Sequence, residues 1–73
     1  MQAIKPYKIE QLKTQYPTGC RVILDSMDDV YTKLPIGTLG TVTSVDSIGT
    51  IHVTWDNGST LGVCYGEDSC HRI

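Results

Sequence analysis

A chain of 73 residues with six Lys and Arg against eight Asp and Glu carries a formal charge of −2 and a sequence pI near 5.4. That length holds one domain, which buries roughly 60% of the surface its unfolded chain exposes and so has a thin core. The charge balance argues against a phosphate-backbone binder, which carries a basic stripe, and no run approaches the roughly 20 apolar residues that cross a bilayer as a helix.

In chain order, MQAIKPYKIE lacks the apolar stretch of a signal peptide. Pro6 then suits a first helical position, and Ile9, Leu12 and Tyr16 follow at i, i+3 and i+7. This spacing predicts one short amphipathic helix over 6–15 that ends at Tyr16-Pro17-Thr18-Gly19, because a residue before proline avoids the α region. From there the chain reads as β: CRVILDS (20–26), LGTVTSVD (39–46), TIHVTW (50–55), STLGVC (59–64) and CHRI (70–73), with turn residues between them. The connection MDDVYTKLPIGT (27–38) is long for so small a domain, and long loops of this kind tend to be functional or disordered.

The Asn57-Gly58 pair between two β-rich runs marks a hairpin. A two-residue loop would pair Val53 with Gly62 and scatter apolar residues over both faces. A three-residue loop, Asp56-Asn57-Gly58, closed by Gly58 in the left-handed region, pairs Trp55 with Ser59, Val53 with Leu61 and Ile51 with Val63. A one-residue slip inverts every side chain, so the hydrophobic pattern selects the second register and predicts Ile51, Val53, Leu61 and Val63 pointing inward. Five short antiparallel strands with bulges predict a mainly β fold: a small SH3-like five-stranded barrel over 16–73, its open end covered by the helix of 1–15.

At YPTGCRV, MDDVYTKLP, WDNGSTLG and GEDS the chain resembles an uncharacterised family of short bacterial and phage proteins, domain of unknown function 4314, over Tyr16 to Ile73. The helix lies outside that resemblance, and Cys20 and Cys70 depart from it, standing where a hydroxyl residue and an aromatic are expected. VTWDNGST is more remotely similar to the strand-turn-strand of the mind-bomb module and other SH3-like domains, which bind peptides. The resemblance implies the fold and a bacterial host cell, not an activity.

Three cysteines, Cys20, Cys64 and Cys70, are an odd number without framework spacing, which predicts free thiols in the cytoplasm. Cys64, Cys70 and His71 offer three donors for a metal but lack the paired C-x2-C knuckles, so they read as buried thiols and no metal or other cofactor is expected. Cys20 with His52 or His71 lacks an orienting third group, and no enzyme is expected.

By analogy with SH3-like folds, the candidate partner-binding residues are Asp28, Asp29, Tyr31, Lys33, Leu34 and Pro35 of the long connection with Trp55 and Asn57 of the hairpin. The competing reading has Asp28 or Asp29 capping a turn and Trp55 sealing the core edge. The functional expectation is a non-catalytic module that binds a protein or peptide in the groove between the 27–38 loop and the Trp55 hairpin. The alternative is a phage or mobile-element counter-defence factor that blocks a host immune protein or sequesters a small nucleotide signal, the latter between subunits of a homo-oligomer.

Overall fold

The computed structural model describes residues 4–27 and 34–73. Helix α1 spans Pro6–Gln15 and strands β1 Arg21–Ser26, β2 Leu39–Val45, β3 Thr50–Trp55, β4 Val63–Cys64 and β5 Ser69–Arg72 follow. Proline opens α1, where its missing N–H is no loss, and the helix stops at Tyr16, whose N–H still reaches the Leu12 carbonyl before Pro17 forbids another turn. Of the helical residues Leu12 alone is fully buried, so α1 adheres to the sheet through a narrow contact.

The strands form one antiparallel sheet in the order β4-β3-β2-β1-β5. Alternation delivers Val22 and Leu24 of β1, Val42 of β2, Ile51, Val53 and Trp55 of β3 and Val63 of β4 to one face, where Leu12 and Leu34 complete the core. Two bulges bend the sheet around it. Between Val42 and Ser44 β2 carries one residue more than β3, and between Leu24 and Ser26 β1 carries one more than β5. An extra residue reverses the inward parity, and the sequence follows it: Val22 and Leu24 are succeeded inward by Met27, and Val42 by Val45.

The hairpin has the expected register. Ile51 pairs with Val63, the Trp55 N–H donates to the Ser59 carbonyl at 2.8 Å, and the Gly58 N–H closes the turn on the Trp55 carbonyl at 2.9 Å. Gly58 has φ 92°, and a Cβ there would meet no atom within 4 Å, so the demand for glycine comes from the backbone and not from crowding. Gly58→Val is therefore expected to cost more than the roughly 1 kcal/mol typical of a point mutant, read as a lower urea midpoint with an unchanged slope.

Three expectations are corrected. The fourth strand is Val63–Cys64 and not 59–64, and Leu61 is 37% exposed instead of inward. Both follow from the Trp55 indole, which fills the core at 1% exposure and donates its Nε1–H to the Leu61 carbonyl at 2.9 Å, drawing that carbonyl out of a ladder with β3. The sheet does not close into a barrel. A single turn carries the chain from β4 to β5, with the N–H groups of Glu67 and Asp68 on the Cys64 carbonyl. Side chains then occupy polar groups of both edges: Asp68 Oδ2 accepts the Cys64 N–H at 3.0 Å, and the Tyr16 hydroxyl donates to the Cys70 carbonyl at 3.2 Å.

Candidate functional site

The residues expected to bind a partner divide into three groups. Trp55 and Leu34 are core residues, 1% and 7% exposed, so neither offers a ring or side-chain face to a groove. Pro35 and Asn57 are exposed. The Pro35 carbonyl accepts from the Thr38 N–H and hydroxyl, and Asn57 Oδ1 accepts the Ser59 N–H at 3.0 Å, so both shape turns. Asp28, Asp29, Tyr31 and Lys33 lie outside the described residues.

A different concavity is built where the sheet stays open. Between α1 and the seam of β4 and β5 lies a cleft of about 240 Å³. Leu12, Ile51 and Val63 give it buried apolar walls, Tyr16 and Cys70 line the seam, and half-exposed Tyr65 flanks it with the Lys8 ammonium 5.9 Å from its ring centroid. Gly49 keeps the neighbouring hairpin close: a Cβ there would stand 2.7 Å from Ile4 Cδ1, so Ile4 packs directly on that backbone. The cleft thus exists because the edge groups of β4 and β5 are bonded to Asp68 and Tyr16 and not to each other.

An ion pair and two carboxylate–imidazole hydrogen bonds border the sheet. The Arg21 guanidinium grips Asp56 with two bonds, Nη1 to Oδ1 at 2.8 Å and Nη2 to Oδ2 at 2.6 Å, and also donates to Thr41 Oγ1 at 2.9 Å. The bonds between Arg21 and Asp56 raise the Arg21 pKa and hold the Asp56 carboxyl below its ordinary value. His71 Nδ1 lies 2.8 Å from both oxygens of Asp25, the residue of the β1 bulge. His52 Nε2 lies 2.8 Å from Asp46 Oδ2, while Asp46 Oδ1 accepts the N–H groups of Ile48 and Thr50 and so folds the β2–β3 turn. Neither imidazole is hydrogen-bonded to a hydroxyl or thiol among the described residues. Burial pushes the Cys70 thiol up to about 11, helped by the neighbouring Asp25 and Cys20, and burial likewise raises Cys64 and Tyr16. The three cysteines are free, and among the described residues no three His, Cys, Asp or Glu side chains converge as a metal site.

Desolvation pushes Asp46 upward, but the bonds from His52, Thr50 and Ile48 outweigh it and leave its pKa lowered. A carboxyl held down in the folded state contributes stability above its unfolded pKa, and that contribution is lost as pH falls through the lower, folded value. Asp46→Asn is therefore expected to be less stable than the parent at neutral pH. The gap should narrow on acidification through the carboxylate range, as followed by thermal unfolding at a series of pH values.

Sequence reasoning missed the seam cleft and the Arg21–Asp56 pair. The partners are 35 residues apart and carry no local signal. Asp46 was findable, since Asp opening D-S-I-G is the pattern of a side chain that bonds its own turn.

The geometry defines a class first: a small open-sheet β domain with one N-terminal helix, a seam cleft and, among the described residues, no helix long and apolar enough to cross a membrane. The chain belongs to the family described as Domain of unknown function (DUF4314), whose profile matches residues 5–73. That match reaches back over α1, which the resemblance read from the sequence had left out. No curated protein and no solved structure matches it.

Proposed function

We propose that the protein is a non-catalytic binding module that recognises a protein or peptide partner through the seam cleft. The observation that carries this reading is the cleft's size and lining, about 240 Å³ with buried Leu12, Ile51 and Val63 at its walls. Small-molecule pockets run to roughly 300–1,000 Å³, so a nucleotide finds too little enclosed space in this cleft. One inserted apolar side chain fits, which is how anchor residues of protein interfaces are seated. Strand addition at the seam is disfavoured, because Tyr16 and Asp68 already occupy edge groups there. Free cysteines accord with work in a bacterial cytoplasm. A phage counter-defence role is the same reading if the partner is a host immune protein.

The test compares crosslinked partners from a host lysate for the parent, for Lys8→Glu/Tyr65→Ala at the cleft, and for Pro35→Ala/Asn57→Ala at the loop and hairpin. Circular dichroism checks that each variant is folded. Loss of a partner by the cleft variant alone, by roughly tenfold or more as removal of an anchor contact gives, supports the seam. Loss by the loop and hairpin variant alone moves recognition to the other end. Thermal stabilisation by a nucleotide with no protein present replaces the reading altogether.

A further inference from the structure

We propose that Asn57-Gly58 is a latent self-modification site, a deamidation that the folded hairpin holds back. The inference stands apart from the cleft. Asn57 is exposed at the hairpin tip, and the residue after it has no side chain to hinder attack by its backbone nitrogen. In the reaction the Gly58 nitrogen gives up its proton and attacks Asn57 Cγ. The new N–C bond closes a succinimide ring as the bond from Cγ to the side-chain nitrogen breaks, and that nitrogen leaves as ammonia. Water then opens the ring at one carbonyl or the other, leaving aspartate or isoaspartate. Nothing is oxidised or reduced.

The fold ties down the groups that must move. The Gly58 N–H is donated to the Trp55 carbonyl at 2.9 Å, and Asn57 Oδ1 holds the Ser59 N–H at 3.0 Å. The loop is further pinned to the sheet, by the Asp56 N–H on the Leu39 carbonyl at 2.9 Å and by the two-bond grip of Arg21 on the Asp56 carboxylate. Ring closure must break the Gly58 bond, so the reaction proceeds from an opened turn, and closure scales its rate down to the fraction of time the turn is open. The two products differ in how they fit the closed turn, since aspartate keeps a side-chain oxygen for the Ser59 N–H. Aspartate sets a second carboxylate beside Asp56, and isoaspartate lengthens the backbone just before Gly58, whose φ of 92° closes the loop.

The experiment incubates the full-length protein at mildly alkaline pH, folded and in denaturant, and follows acid formation at residue 57 by peptide mass analysis and isoaspartate detection. The denatured chain is expected to convert at least roughly tenfold faster, the factor that an opening free energy of about 1.4 kcal/mol gives. Arg21→Ala, folded by circular dichroism, should convert severalfold faster than the folded parent. If that variant does not fold, Asp56→Ser breaks the same pair from the other side. Asn57→Gln should abolish the signal. Equal rates in folded and denatured parent, no product at residue 57 in the denatured chain, or an unchanged rate in the folded bridge variant would each overturn the proposal.

Discussion

Trp55→Ala is expected to remove most of the protein's stability. The indole is 1% exposed, and truncating a buried aromatic costs about 3–5 kcal/mol, lost transfer energy and cavity together. A domain of this length has roughly 4–11 kcal/mol to lose, at about 0.05–0.15 kcal/mol per residue. The hydrogen bond adds to the loss, since without Nε1–H the Leu61 carbonyl must find water or go unbonded. Trp55→Phe separates the two contributions by keeping a ring and deleting the donor, and should fall between parent and Ala. Because Trp55 is the only tryptophan, unfolding has to be followed by circular dichroism in urea and not by indole fluorescence. A Trp55→Ala protein with a near-parental midpoint would mean that the ring is not a core element.

Gly40→Ala should be the next most damaging small change. Gly40 sits in β2 opposite Trp55, and a Cβ there would stand 2.5 Å from Val53 Cγ1, 2.7 Å from Trp55 Cε3 and 3.1 Å from the Thr54 carbonyl oxygen. Two of these neighbours are packed core side chains with no free space to yield, so the added methyl forces a backbone or rotamer shift of the kind that costs about 1–3 kcal/mol. The cause is testable by coupling. In a Val53→Ala background the closest clash disappears, so Gly40→Ala should cost clearly less there than in the parent, a non-additivity readable from a double-mutant cycle in urea. Equal costs in both backgrounds would assign the effect to strand backbone and not to contact with Val53.

What could be read from the sequence was what rests on local periodicity and turn chemistry. Pro6, the Ile9/Leu12/Tyr16 spacing and Pro17 bound the helix at 6–15, and the alternation around Asp56-Asn57-Gly58 chose the hairpin register. The errors began where one side chain reaches across the fold. Leu61 and Trp55 both count as apolar in a pattern, but only one can fill the space at the end of β3, and the indole's donor decides the contest by taking Leu61's carbonyl. The same decision buried the aromatic for which the sequence offered two readings, a groove residue and a seal on the core edge, and the burial agrees with the seal. The seam cleft was out of reach for a related reason. It depends on Tyr16 and Asp68 bonding strand-edge groups, one of them 54 residues away, and no window of sequence contains that contact.

The two ladders of β1 differ in when they can form. Its pairing with β2 joins residues no further apart than Arg21 and Thr41, whereas its pairing with β5 sets Val22 against Arg72. On a ribosome adding roughly 5–20 residues per second, the α1–β1–β2–β3 part is therefore made seconds before its last neighbour exists. During that interval one edge of β1 has no strand beside it and Leu24 has no Cys70 opposite. Assembly ends with the capture of a four-residue strand, a step of high sequence separation that should set the pace of folding. The newborn chain is thus most open to proteases and to foreign strands just before residues 69–72 are in place.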